Sequence, residues 1–167
     1  MIPATAIQVR PLMPLQAVMW RLDLDEPEVI TLIDSGELLW AFDVRTPRAE
    51  RPSVRVLTQS VEKYLAGFGG GKLPVSGNLN LLGENFAAGD EEAEWLEVAA
   101  QILPDKQAIV TCEIARALNC GRQMAHDLVN ANQFRLMPGS VIRRGPGGSP
   151  KIETASVAEW LRKRRML

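Results

Sequence analysis

The sequence predicts an α+β chain, mainly helical with small β-hairpins, built as two copies of one unit joined by a linker and an acidic helix. Three observations carry this prediction. Short apolar patterns at helical spacing alternate with short stretches rich in β-branched and aromatic residues. The same order of patterns recurs 96 positions later without a gap. Charge, finally, divides along the chain. Residues 1–66 carry 7 Lys/Arg against 9 Asp/Glu, residues 67–110 carry 2 against 7, and residues 111–167 carry 10 against 4. The near-neutral whole thus hides a basic last third, which points to a polyanionic partner for that part alone.

In chain order, LQAVMWRL places Leu15, Val18, Met19 and Leu22 on one helical face. Asp25 is positioned to cap a second helix, with Pro27 tolerated in its first turn and Val29, Leu32 and Ile33 as its apolar face. Gly36 stops that helix in a left-handed conformation. Leu38 to Val44 (LLWAFDV) reads as a strand, TPRAERP as a polar loop and SVRVL as the returning strand. Thr58 is the expected cap of a closing helix, TQSVEKYLAG, ended by Gly67.

Sliding by 96 positions sets Val18 on Ile114, Leu22 on Leu118, Leu32 on Leu128, Ile33 on Val129, Leu38 on Phe134 and Val56 on Ile152. Gly36 falls on Asn132, the other residue that tolerates a left-handed helix end. Thr58, Ser60, Val61 and Leu65 fall on the identical residues Thr154, Ser156, Val157 and Leu161, with Tyr64 over Trp160. The expected boundaries are 12–67 for copy one, 68–107 for a linker containing a helix at about 91–103, and 108–165 for copy two. The linker begins Gly- and Asn-rich, then turns into EEAEWLEVAAQIL. Acids at the start of that helix suit its dipole, and Trp95, Leu96, Ala99, Ile102 and Leu103 require a covering partner.

The order of helix, turn, helix ending in Gly or Asn, strand, basic loop and T-x-S-V-x-x-W/Y-L resembles the MerR-like and excisionase-like winged helix-turn-helix DNA-binding superfamily. It is carried by VTCEIARALNCGRQMAHDLVNANQF with KIETASVAEWL, and by VITLIDSGEL with RVLTQSVEKYL. The two matches cover about two thirds of the chain. The resemblance implies tandem winged helices and a function among DNA-binding regulators, excision factors and phage DNA-packaging subunits. Members typically carry one such domain, so the tandem arrangement departs from the pattern.

On this reading the helix from about Arg122 to Ala131 enters the major groove, with Met124 or Ala125, Leu128 and Val129 facing the core. Arg122, Gln123, His126 and Asn130 then face the bases, Arg suiting guanine acceptors and Gln or Asn suiting adenine. The wing RRGPGGSPK sets Arg143, Arg144 and Lys151 around a glycine-rich tip able to reach phosphates or the minor groove. Arg116, with Arg162 and Arg164 at the end of the closing helix, completes the phosphate contacts expected of copy two. Copy one presents Glu26, Glu28, Thr31 and Asp34 instead, so it is expected to serve protein interaction or dimerisation. Its wing arginines Arg45, Arg48, Arg51 and Arg55 are the candidates for a secondary DNA contact.

Enzymatic chemistry is not expected. There is no phosphate-loop, nucleophile-elbow or Cys-His pattern, and C-x7-C-x5-H is not a zinc spacing, so neither cofactor nor metal is predicted. Cys112 and Cys120 read as small buried apolar residues. No apolar run approaches the ~20 residues needed to span a bilayer, and the N-terminus lacks a signal-peptide pattern. A cytoplasmic, nucleoid-associated protein follows, working as a homodimer or higher assembly on DNA. The competing expectation is a protein–protein adaptor. A fragment from about residue 104 is expected to bind DNA alone on the first reading and not on the second.

Overall fold

The computed structural model describes residues 10–67, 90–142 and 149–166. The glycine-rich part of the linker and the wing tip with Arg143 and Arg144 lie outside the described residues. Copy one runs β1 (Leu12–Pro14), α1 (Leu15–Leu22), α2 (Glu26–Asp34), β2 (Ala41–Asp43), β3 (Val54–Leu57) and α3 (Thr58–Gly67). The acidic helix α4 (Asp90–Ile102) follows. Copy two runs β4 (Ala108–Val110), α5 (Thr111–Ala117), α6 (Arg122–Asn130), β5 (Lys151–Glu153) and α7 (Thr154–Arg162), and β6 (Arg165–Met166) closes the described chain. The fold is therefore α+β, with short antiparallel sheets.

The 96-residue offset holds in the backbone hydrogen bonds of the first strand pair and the helix ends, but slips by one residue across the expected hairpin: Ala41 pairs with Val56 in copy one, whereas Leu136 and not Met137 meets Ile152 in copy two, as an isolated bridge. Strands β1 and β3 pair Leu12 with Leu57 and Met13 with Val56, and β4 and β5 pair Ala108 with Glu153 and Ile109 with Ile152. In both copies the first helix ends in a left-handed residue, Asp23 at φ 55° and Asn119 at φ 45°. Behind these, the Leu24 amide donates to Met19 O and the Cys120 amide to Ala115 O. The second helices stop at Gly36 (φ 78°) and Asn132 (φ 53°), followed by matching bonds from Glu37 N to Leu32 O and from Gln133 N to Leu128 O. Local sequence explains the starts as well. Asp25 and Glu28 cap α2 reciprocally, the Glu28 amide donating to Asp25 Oδ1 at 2.9 Å and the Asp25 amide to Glu28 Oε2 at 2.8 Å. At α5 only the second half of that device survives, the Val110 amide donating to Glu113 Oε2 at 3.0 Å.

Four local expectations need correction. Leu96, placed on the covered face of the acidic helix, is exposed, and Val98 is buried in its place beside Trp95 and Ile102. The strand expected over Leu38–Val44 shrinks to Ala41–Asp43, because Trp40 sits at φ 61° and interrupts it. Thr58 does not cap α3; its hydroxyl donates to the Arg10 carbonyl at 2.7 Å, and its counterpart Thr154 has a buried, unpartnered hydroxyl. Cys112 is exposed and only Cys120 is partly covered, since the apolar face of α5 is supplied by Ile114 and Ala117.

Packing couples the copies. One cluster holds the interior of copy one, from Val18, Val29, Leu32 and Ile33 to Ala41, Val54, Val56 and Val61. The other holds the interior of copy two together with Trp95, Val98, Ile102 and Leu103, and also Leu12, Trp40, Phe42, Val44 and Leu57 of copy one. Successive strand residues point to opposite faces. Ala41 and Val56 therefore turn into copy one, while Phe42 and Leu57 turn out of it and into the layer shared with α4 and copy two. The Trp95 ring lies 5.7 Å from Trp40 and 6.2 Å from Phe42, and Trp40 Nε1 donates to Glu94 at 3.3 Å. The acidic helix thus covers the outer face of the first sheet. A fragment beginning near residue 104 leaves Trp95, Val98 and Ile102 behind, and with them part of the core of copy two.

Strand β6 extends this coupling. It joins the first sheet as its fourth strand, in the order β1-β3-β2-β6, with Phe42 opposite Arg165. The Arg165 guanidinium stacks 4.0 Å from the Trp40 ring and pairs with Glu91 at 2.9 Å. Among the described residues no helix is long and apolar enough to cross a membrane.

Candidate functional site

The site is built on α5, the turn at Asn119–Gly121 and α6. In α6, Ala125, Leu128 and Val129 are buried, which fixes the rotation of the helix. The opposite stripe, Arg122, Gln123, His126, Asp127 and Asn130, is exposed throughout. Nine residues at about 1.5 Å rise give a rod of about 13 Å. Within the stripe Gln123 Nε2 donates to Asp127 Oδ1 at 3.0 Å, which orients the amide and occupies the only carboxylate there. Arg116, Arg122 and Lys151 are exposed and make no ion pair among the described residues. Their charge is available to a ligand.

The remaining basic residues named from sequence fall into different surroundings. Arg162 pairs with Glu92 at 2.6 Å. Arg164 stacks 4.9 Å from the Trp160 ring, donates to Arg45 O at 3.2 Å and reaches Gln133 Oε1 at 3.5 Å. Arg45 pairs with Asp43 at 3.0 Å, whereas Arg48 and Arg51 are exposed on the loop between β2 and β3. Arg55 is the most occupied. Its Nε donates to Leu118 O at 3.2 Å and Asn119 O at 3.1 Å, and its Nη1 to Ser53 Oγ and Val54 O. Burial lowers its pKa, with a smaller opposing influence from Cys120, and the same burial raises the Cys120 thiol. A desolvated guanidinium satisfied by carbonyls is a structural tie. It is not a surface cation.

Asn119, which sequence reasoning did not single out, is the other half of that tie. Its Nδ2 donates to Leu12 O at 2.9 Å, and the Arg10 guanidinium donates to its Oδ1. The turn between α5 and α6 is therefore gripped by β1 and β3 of copy one. The one available signal was the left-handed turn it shares with Asp23, and that signal marks conformation without revealing contacts. A second feature missed from sequence is Trp20, 80% exposed on α1 at the position that corresponds to Arg116. Arg135 carries charge near α6 but is engaged with Glu153 at 2.8 Å and Glu159 at 3.3 Å.

Among the described residues no three His, Cys, Asp or Glu side chains are grouped to hold a metal ion. No protein-family model, curated protein or solved structure matches the chain.

Proposed function

We propose that the chain binds double-stranded DNA, with copy two acting as a winged helix-turn-helix that lays α6 in the major groove. The observation that carries this reading is the uninterrupted exposed stripe Arg122, Gln123, His126 and Asn130 behind a turn fixed on both sides. Its donors and acceptors suit base edges, and Arg116 and Lys151 flank it as phosphate contacts. Arg143 and Arg144 extend the wing on this reading. Two chains on adjacent half-sites, one helical turn apart, make the natural assembly for a regulator or a recombination accessory factor. The helices of copy one serve a protein partner; exposed Trp20 on α1 and the exposed acids Asp23, Glu26 and Asp34 favour that role over DNA contact for this helix pair.

Gel shifts of the full chain on duplex DNA over a salt series test the reading. If Arg116, Arg143, Arg144 and Lys151 neutralise phosphates, log affinity falls against log salt with a slope of about −4 per chain. A slope near zero sinks it.

A further inference from the structure

The β2–β3 loop and the segment after α7 lie far apart in sequence, yet they enclose one open groove of about 610 Å³. Its lining brings Arg45 together with Lys163, Arg164 and Arg165 against a single carboxylate, Asp43. Arg48 and Arg51 stand exposed on the same loop. The groove floor is preorganised, because Arg164 is held by the Trp160 ring, Arg45 O and Gln133 Oε1, all of them neutral groups. Its charge meets no carboxylate among the described residues. The other cations have partners, Asp43 for Arg45, Glu159 for Lys163 and Glu91 for Arg165, and each of these pairs has at least one side chain more than 40% exposed. The Lys163–Glu159 pair is exposed on both sides and therefore weak, so a phosphate can replace that carboxylate at little cost, whereas Asp43 stays in place, held by the Arg45 and Ser53 amides.

Position says which phosphate. Gln133 is three residues beyond the end of α6, and its Oε1 accepts from both Trp160 Nε1 and Arg164. Gln133 thus ties Arg164, on the groove floor, to the C-terminal end of α6. A duplex seated on α6 is the polyphosphate that this end of the helix would bring to the groove.

We propose that this groove binds backbone phosphates of the DNA flanking the α6 contact, so that copy one clamps the same duplex that copy two reads. This rests on the DNA-binding reading above. Sequence offers the two basic segments as separate contacts; the fold joins them into one groove.

The test uses the full chain carrying Arg45→Gln, Arg48→Gln and Lys163→Gln together, two lining residues and the exposed arginine between lining residues Pro47 and Ala49, and duplexes of two lengths, roughly 12 and roughly 30 base pairs, the shorter little more than one helical turn. Wild type should bind the longer duplex more tightly and with a steeper salt slope. The triple variant should lose about 3 from the slope on the longer duplex, about 0.9 per phosphate contact, and bind the shorter one unchanged. Equal losses on both lengths, or no loss on either, overturn the clamp. Arg122→Ala separates the two ideas, because failure of α6 as reader leaves that variant unaffected on both duplexes whatever the groove does. Inorganic tripolyphosphate supplies the second arm. Amide shifts confined to residues 45–49 and 163–166, lost in the triple variant, support phosphate binding in the groove, and their absence overturns it. Such shifts alongside DNA affinity that ignores duplex length assign the groove to a free polyphosphate and likewise overturn the clamp.

Discussion

Copy one and copy two share the register of their first strand pair, helix boundaries within a residue and left-handed turns, yet they differ at nearly every exposed position of the second helix. Arg122 corresponds to Glu26, His126 to Ile30 and Asn130 to Asp34. The first helices differ likewise, Arg116 standing where copy one has Trp20. Fold and surface have thus been separated. The buried positions kept one solution, while the outer ones moved toward acids and an exposed aromatic in one copy and toward cations and amides in the other. A shared backbone is therefore no guide to a shared partner.

The third strands make the same point inside the fold. Arg55 and Lys151 are equivalent by register, opposite Pro14 and Val110. Lys151 is exposed, whereas Arg55 is turned toward copy two and satisfied by the carbonyls of Leu118 and Asn119. One position serves as a surface charge in one copy and as an internal tie in the other.

The comparison breaks most visibly if the copies melt separately. Phe42 is fully buried in the shared layer, and Phe42→Ala should cost about 3–5 kcal/mol. Denaturant unfolding followed by tryptophan fluorescence and far-UV circular dichroism should show a single transition moved to lower denaturant. Two separated transitions mean that the copies are independent domains. Next comes the Arg55 and Lys151 pair. Arg55→Ala should destabilise by about 1.5–3 kcal/mol, the range for hydrogen bonds to a charged group, and leave the salt slope of DNA binding intact. Lys151→Ala should do the reverse, lowering the slope by about 1 with stability unchanged. Identical behaviour in the two variants removes the distinction between tie and contact.

A comparable contrast applies to the second helices. Arg122→Ala should weaken duplex binding by about 1–3 kcal/mol, whereas Glu26→Ala should leave it unchanged. A clear loss for Glu26→Ala places copy one on DNA through that helix. The smallest effect concerns the helix stops. Gly36 has φ 78° and no atom within 4 Å of an added Cβ, so Gly36→Ala should cost only the conformational penalty of about 1 kcal/mol. Asn132→Gly at the matching stop should be neutral or mildly stabilising, as thermal melts would reveal.

Much of the fold was legible because its signals are local. Helices α1 and α2 follow from apolar spacing and from the Asp25 cap, and the repeat was visible because Gly36 and Asn132 solve the same stereochemical problem. The site was legible where exposure follows from burial: once Ala125, Leu128 and Val129 face inward, the stripe of α6 is determined. What stayed hidden depends on distant partners. Arg55, Arg162 and Arg164 look like surface cations in sequence, and only the folded chain supplies what occupies them: carbonyls of copy two for Arg55, the Glu92 carboxylate of α4 for Arg162 and the Trp160 ring for Arg164. The covering of α4 was unreadable for the same reason, since a helical stripe announces that it is buried and not what buries it.

The pairing of β6 with β2 sets a timetable for the molecule. Ala41 and Phe42 take their partners from Met166 and Arg165, made more than a hundred residues later. Sheet completion is therefore among the slowest closures available to this chain, since contacts at large sequence separation form late. Until it happens, β2 offers a row of unpaired amides and carbonyls next to the apolar Trp40 and Phe42, an adhesive edge that any nearby strand can extend. In a crowded preparation, the last strand of a neighbouring molecule meets that need as well as the molecule's own. Slow refolding at low concentration is then the route to monomers, and rapid refolding at high concentration the route to strand-exchanged pairs.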